Sequence, residues 1–338
     1  MLTQEQFIRN FSVMADGEVD FFLGAGASIA SGIPTGGDLI WEFKRTLYCS
    51  ECGESEEKYK DLALPSTRKM LQEYFDQKGF CPQQYASEEY SYYFEQCYSN
   101  PLARKRFIEK MVSGREPSLG YLCLAEAVVR GKIKNIWTTN FDSLLENAIH
   151  LLYPVNNVLV CSEANRDSAQ IFNPQYPVVG KLHGDYRYDW LKNTGNKLQQ
   201  LEEKLKEYAA SQLLDKQLVV VGYSGNDKSI MSFLEDCVDN PSLLPKGLLW
   251  AVRKGSQANH RVSELIERAK KNEKFADVVE IDGFDQLMYS IYQIQGYHNE
   301  IVDGQEHILH GKSEICFSDN TGICSAGSLL PDDLRTPC

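Results

Sequence analysis

Four short runs in this chain gather residue types that do chemistry. They are Gly24-Ala25-Gly26-Ala27-Ser28, Thr138-Thr139-Asn140-Phe141-Asp142, Lys181-Leu182-His183-Gly184-Asp185 and Gly222-Tyr223-Ser224-Gly225-Asn226-Asp227. In the first, Gly24 and Gly26 allow positive φ and close approach of backbone to a pyrophosphate, and a following helix N-terminus would add positive potential. A tight turn with no ligand would carry the same residues. The spacing GxGxxG is missing because Ile29 stands at its last position, so an ordinary dehydrogenase is a poor fit.

In the second run Asn140 offers two donors and an acceptor, enough to hold ribose hydroxyls or a water. Asp142 has two readings, orienting a neighbouring group or capping the helix expected from Ser143. In the third run His183 stands before a glycine at a strand end, where imidazole can take a proton near neutral pH. The other histidines, at 150, 260, 298, 307 and 310, have no such setting. The fourth run makes a second tight turn. Gly222 and Ser224 could hold a phosphate or ribose, or Ser224 or Asp227 could simply cap a helix. GYSGN departs from the GxSxG nucleophile pattern at its last residue, which argues against a serine hydrolase.

Something must position these runs, and each follows a short, nearly continuous apolar stretch. Residues 19–23 (VDFFL), 133–138 (IKNIWT), 178–182 (VVGKL) and 218–222 (LVVVG) read as strands, as do 247–252 (GLLWAV) and 277–281 (DVVEI). Such strands, separated by helical stretches, predict a parallel sheet covered on both faces. Sites in such sheets lie off the C-terminal strand ends. Thr3 and Gln6 form a capping box that opens a helix bearing Phe7, Phe11 and Met14 on one face. A helix is expected directly after the first glycine turn. Residues 41–130 read as mainly helical, with an aromatic cluster near Tyr85–Tyr98 that could serve as core, as an interface or as a ligand stack. Leu198, Leu201, Leu205 and Leu213 mark another helix. From about Gly296 the composition turns to Gly, Ser and Asp with little periodicity.

Bulk properties narrow the partners. The 338 residues carry 35 basic and 47 acidic side chains, a formal charge of −12. Nucleic-acid binding needs clustered Lys and Arg, so a dinucleotide suits this chain better than a duplex. No run approaches the ~20 apolar residues that span a bilayer, and a cytoplasmic location is expected. Ten cysteines include one CxxC pair, Cys49 and Cys52. Without a second pair at zinc spacing, no metal is expected.

In order and spacing, GAGAS with the GIP at Gly32-Ile33-Pro34, then TTNFD, KLHGD and GYSGND resemble the sirtuin (SIR2) superfamily. Their likeness is greatest to the SIR2-like branch of bacterial antiphage defence systems. The resemblance covers roughly residues 20–282, interrupted by the helical 41–130 region. Two departures bear on activity. Lysine deacylases similar to this family continue GIP with Asp-Phe-Arg, where this chain has Thr35-Gly36-Gly37-Asp38. They also carry a four-cysteine zinc ribbon, whereas no cysteine lies between His183 and Leu218.

The resemblance implies an α/β fold with a Rossmann-like, mainly parallel sheet, helices on both faces and a helical insertion in place of the zinc module. Residues 1–295 would form the NAD-binding domain and 296–338 an extension or linker. NAD⁺ would be the substrate, with no metal. By motif match, Gly24, Ala25, Gly26 and Ser28 would contact the phosphates. Asn140 and Asp142 would flank the nicotinamide ribose, with Asn140 and His183 catalytic. Gly222 and Ser224 would lie along the adenosine half. The expected activity is NAD⁺ hydrolysis in antiphage defence. The alternatives are an NAD-dependent lysine deacylase, a non-catalytic NAD or ADP-ribose sensor, and a scaffold subunit. A homo-oligomer, a regulatory partner or a further domain is expected, with Tyr90, Tyr92 and Tyr93 on the self-association surface.

Overall fold

The computed structural model describes residues 1–155, 158–161, 177–183 and 205–305. The helical tendency of residues 198–204 and the tail beyond 305 lie outside them. Among the described residues eight strands form one sheet in the order β1-β8-β7-β6-β2-β3-β5-β4, and every neighbouring pair is parallel. The strands are β1 (Leu2–Thr3), β2 (Val19–Leu23), β3 (Ile133–Thr138), β4 (Leu159–Cys161), β5 (Val178–Lys181), β6 (Gln217–Val221), β7 (Gly247–Arg253) and β8 (Ala276–Ile281). Six match the apolar runs of the sequence. The additional two, β1 and β4, hold two and three residues, too short for a period to register.

The helices are α1 (Gln4–Val13), α2 (Gly36–Cys52), α3 (Pro65–Gln77), α4 (Glu89–Cys97), α5 (Pro101–Val112), α6 (Leu119–Val129) and α7 (Leu144–Leu152). They continue with α8 (205–212), α9 (Lys228–Asp239), α10 (His260–Lys271), α11 (Phe284–Ile294) and α12 (Glu300–Asp303). The capping box of α1 is present, with Thr3 Oγ1 accepting from Gln6 N and Gln6 Oε1 from Thr3 N. After β2 the chain forms a 3-10 segment, Ala25–Ser31, instead of the expected α-helix. It closes at Gly32, in the left-handed region at φ 80°, before Pro34 can be accommodated.

Side chains alternate across the sheet as a two-residue period demands. Val19, Phe21 and Leu23 of β2 join α1, α6, α7 and α11 in one core. Phe22, Leu218 and Val220 join α8, α9 and α10 in the other. Each fully buried aliphatic or aromatic side chain contributes roughly 1.5–3 kcal/mol by leaving water, so both sheet faces are anchored. Among the described residues no helix is long and apolar enough to cross a membrane.

The described residues divide into two compact units, 1–33 with 108–305, and 34–107. Helix α6 packs within the sheet unit, buried from Leu119 to Val128. The 34–107 unit has its own aromatic core, in which Phe43 stacks on Phe94 at 5.1 Å and meets Phe107 at 5.5 Å. Its Lys44 is fully buried, 2.5 Å from Glu89 and within 4.8 Å of the Trp41 and Tyr93 rings. The aromatic cluster seen in the sequence is thus largely core. Tyr93 is wholly buried and Tyr90 and Tyr92 partly so, so changing all three to serine would report on folding before association.

One buried polar pair in the sheet sets up a stability test. Asp20 Oδ2 accepts from Asn135 Nδ2 at 2.9 Å and from Trp137 Nε1 at 3.2 Å, while Asp20 Oδ1 and Asn135 Oδ1 have no partner. Burial pushes the Asp20 carboxyl up to about 6, against the pull of the Asn135 and Trp137 hydrogen bonds and of Lys216. Between the ordinary 3.8 and about 6 the native state keeps a proton that the unfolded chain has lost. Stability therefore falls as pH rises through that window and stays lowered above it. Asp20→Asn retains an acceptor for Asn135 and Trp137 and removes the buried charge. It should raise stability by on the order of 3 kcal/mol at pH 7.5, with the gain shrinking toward pH 4. Urea midpoints at the two pH values check this; no gain at pH 7.5 would refute it.

Candidate active site

The strand register places the four motifs in one row. Leu23 pairs with Val221 on one side and Thr138 on the other, and Thr138 pairs with Lys181. The chain thus leaves β6, β2, β3 and β5 at the same level, each strand running straight into its motif. The connections also reverse here. From β2 the chain moves outward through β3 to the edge strand β4, steps back to β5, then crosses to β6 on the opposite side of β2 and continues to β7 and β8. A crevice at the strand ends of such a switch point is where open α/β sheets bind ligands.

The two glycine turns pack backbone on backbone. A Cβ on Gly24 would lie 2.5 Å from Tyr223 Cα, and one on Gly26 2.8 Å from Gly222 Cα. Gly24 N donates to Val221 O at 2.9 Å, Gly26 N to Gly222 O at 2.8 Å and Ala27 N to Gly24 O at 3.0 Å. These three amides are therefore occupied within the protein. Ala25 and Gly26 are partly exposed, whereas Gly24 is buried. The only large side chain of the fourth run, Tyr223, turns into the core against Phe22 and Trp250. Ser224 stays exposed at the turn. Asn259 bonds Ser224 O and Asn226 Oδ1, and Arg261 donates to Asn226 O at 3.0 Å. Arg261 thus sets an exposed guanidinium beside this loop, and nothing in the motif announces it.

Behind the strand ends lies a closed polar network. Ser28 Oγ donates to Asp142 Oδ2 at 2.8 Å and accepts from Asn140 Nδ2 at 3.1 Å. Its proton being used, the 2.9 Å contact with Tyr121 is a bond donated by the tyrosine. Ser28 is fully buried with donor and both acceptor sites filled. Its hydroxyl therefore fixes Asp142 and Asn140, and any contact it makes with a ligand must come from its backbone. Asp142 Oδ1 also accepts from Leu144 N in the first turn of α7, 3.2 Å away, although the N-cap position itself belongs to Ser143. Burial raises the Asp142 carboxyl, opposed by Ser28, the Leu144 amide and Lys181. Burial likewise pushes the Tyr121 phenol far up, helped by the Asp142 charge. Tyr121 went unnoticed in the sequence, although a hydroxyl inside the apolar run LGYLCLAEAVV must find a partner.

Asn140 is oriented without ambiguity. Its Nδ2 lies 3.1 Å from Gly24 O, and a carbonyl can only accept, so the amide end is fixed there and on Ser28. The backbone N of Asn140 donates to Thr138 Oγ1, which donates to Leu23 O. Asn140 Oδ1 accepts no hydrogen bond among the described residues, so an acceptor remains for a ligand or water. Lys181 is buried, donating to Asp142 O at 2.6 Å and pairing with Glu146 Oε1 at 2.8 Å. It ties the end of β5 to the start of α7.

His183 leaves β5 two residues beyond Lys181, as Asn140 leaves β3 two residues beyond Thr138. The two side chains thus start from adjacent strand ends at one level. His183 Nε2 lies 2.9 Å from Asp227 Oδ2. Asp227 Oδ1 caps α9, accepting from Ser229 N at 2.8 Å and Ile230 N at 3.0 Å. Burial works against the Asp227 carboxylate, yet the bond and charge of His183 and the two helix amides hold it down to about 2. Gly184 and Asp185 lie outside the described residues. Among the described residues no group of three or more His, Cys, Asp or Glu side chains is arranged to hold a metal ion.

A family model described as "SIR2-like domain" matches residues 134–275. Domains of this family are generally NAD-dependent enzymes. The match takes in β3 to β7 with the Asn140, His183 and Asp227 motifs, and begins after the first glycine turn, which joins the site through the strand register. No curated protein matches the chain.

Proposed function

This chain carries a SIR2-like domain, and from that premise we propose that it hydrolyses NAD⁺ to nicotinamide and ADP-ribose. The observation that carries the reading is the single row of four motifs, with an Asn140 oxygen that no described residue bonds and a carboxylate-held His183 on adjacent strand ends. The surroundings fit a dinucleotide. The two glycine turns meet through backbone alone, no bulky side chain rises from them, and Ala25 and Gly26 are the partly exposed part of the first turn. Lys181 being engaged below, backbone groups and the neighbouring Arg261 are left for anionic oxygens.

NAD⁺ supplies a glycosidic bond whose nicotinamide departs as a neutral leaving group. The protein's own part is positioning and proton transfer. Asn140 Oδ1 accepts a hydrogen bond from the attacking water or a ribose hydroxyl, its orientation fixed by Gly24 O and Ser28. His183, holding a proton on Nε2 toward Asp227, presents Nδ1 as the base for the proton that hydrolysis releases. Asp142, Gly222 and Ser224 hold the crevice around the ribose and adenosine ends, Asp142 through Asn140 and Ser28. No step uses a metal.

Two features favour hydrolysis over lysine deacylation. GIP is followed by TGGD, and the sequence after His183 has no cysteine before Leu218, so the zinc-supported peptide cleft of a deacylase has no counterpart in composition. We extend the proposal to depletion of cellular NAD⁺ in antiphage defence. The full chain should release nicotinamide and ADP-ribose in equal amounts from NAD⁺ alone. An acetylated peptide should add no acyl product. Product that appears only with peptide, as O-acyl-ADP-ribose, would establish a deacylase; NAD⁺ bound but never consumed would establish a sensor.

A further inference from the structure

We infer that Asp227 is the positioning residue for His183, one carboxylate both fixing the imidazole tautomer and capping the helix that follows the fourth motif. This deepens the hydrolase reading above and rests on it for the catalytic part. The two oxygens are divided between the tasks: Oδ2 faces His183 Nε2 at 2.9 Å, and Oδ1 accepts from Ser229 N and Ile230 N. Because that carboxylate can only accept, it selects the tautomer with hydrogen on Nε2 and leaves Nδ1 with its lone pair. Among the described residues nothing bonds Nδ1, so the free nitrogen is the one available to a substrate.

The contact also spans the site. His183 follows β5, Asp227 follows β6, and β3 and β2 lie between them in the sheet. At about 4.8 Å per strand, β5 and β6 are separated by roughly 14 Å, so the pair bridges the row above the strands that carry Asn140 and the first glycine turn. The side chains are 28% and 36% exposed, enough for a ligand to reach the imidazole. Cap duty fixes the carboxylate to the start of α9, and that helix is anchored by buried Ile230, Met231, Phe233 and Leu234. The imidazole is thereby referenced to a rigid element and not to a loop.

Asp227→Asn separates the two tasks. The remaining carbonyl oxygen can still cap α9, while the amide NH₂ faces Nε2 and demands an acceptor there, moving the proton to Nδ1. The test uses the full chain with imidazole-¹⁵N-labelled histidine. Wild type should show His183 as the Nε2–H tautomer, and Asp227→Asn should convert it to Nδ1–H with the fold retained at a lowered urea midpoint. With NAD⁺, kcat for Asp227→Asn should fall ~10²-fold or more while KM changes little. Asp227→Ser, which keeps a cap oxygen but cannot reach the imidazole, should lose the tautomer preference and as much of kcat. An Nδ1–H tautomer in wild type, or full kcat in Asp227→Asn, overturns the inference. Absence of turnover in wild type would instead count against hydrolysis, while the tautomer measurement still decides the positioning role.

Discussion

Gly222→Ala should cost on the order of 3–5 kcal/mol of stability and abolish NAD⁺ turnover, an expectation that rests on backbone packing at a single point. Gly222 has φ 70°, and a Cβ there would lie 2.4 Å from Ala27 N and 2.8 Å from Gly26 C. Neither contact can be relieved by a rotamer change, because both partners are main chain. The turns would have to separate, breaking the 2.8 Å bond from Gly26 N to Gly222 O and straining the one from Gly24 N to Val221 O. Gly255 supplies the control. It has φ 77° with nothing within 4 Å of its would-be Cβ, so Gly255→Ala incurs only the left-handed backbone cost of about 1–2 kcal/mol. Urea unfolding of both variants checks the argument. Equal, mild losses would mean that the two turns are not locked together.

That packing illustrates what sequence could and could not disclose. The apolar runs ending in glycine or a polar motif announced six strands, because a strand buried on both faces needs continuous apolar residues. The Thr3–Gln6 box announced α1 through a local rule. Register was not legible: nothing in VDFFL or LVVVG says that Leu23 and Val221 sit side by side, yet this pairing turns two unremarkable glycine turns into one contact. The glycines themselves suggested a phosphate cradle, and the structure uses Gly24, Gly26 and Gly222 first to let backbone meet backbone. Asp227 was legible only as a helix cap, because its second oxygen is committed to a histidine some forty residues earlier in the chain. Ser28 looked like a ligand contact by motif, whereas burial makes its hydroxyl a brace for Asn140 and Asp142.

The brace also separates two kinds of damage at the site. Among the described residues His183 pairs only with the partly exposed Asp227, so its removal leaves no buried group there unsatisfied. Asn140 is different: its Nδ2 satisfies Gly24 O and Ser28 Oγ in a buried setting. Stability and chemistry should therefore part company between the two residues, although the mechanism uses both.

His183→Ala is expected to lower kcat by ~10²-fold or more with an unchanged urea midpoint, since it removes a proton acceptor and little packing. Asn140→Ala should lower kcat by a similar factor and also cost about 1–3 kcal/mol, the penalty for leaving Gly24 O without a donor. Asn140→Asp should be no better, because its carboxylate offers Gly24 O no proton and adds negative charge beside buried Asp142. If the Asn140 oxygen and the His183 nitrogen act on the same water or hydroxyl, the double variant should be scarcely slower than either single one, as for groups that work as a unit. Independent contributions would instead multiply, giving ~10⁴-fold or more from two ~10²-fold losses. Single-turnover rates with NAD⁺, measured beside urea midpoints for all four proteins, distinguish these cases. Near wild-type rates in His183→Ala with intact folding would remove the imidazole from the mechanism, and with it the reason for Asp227 to face across the crevice.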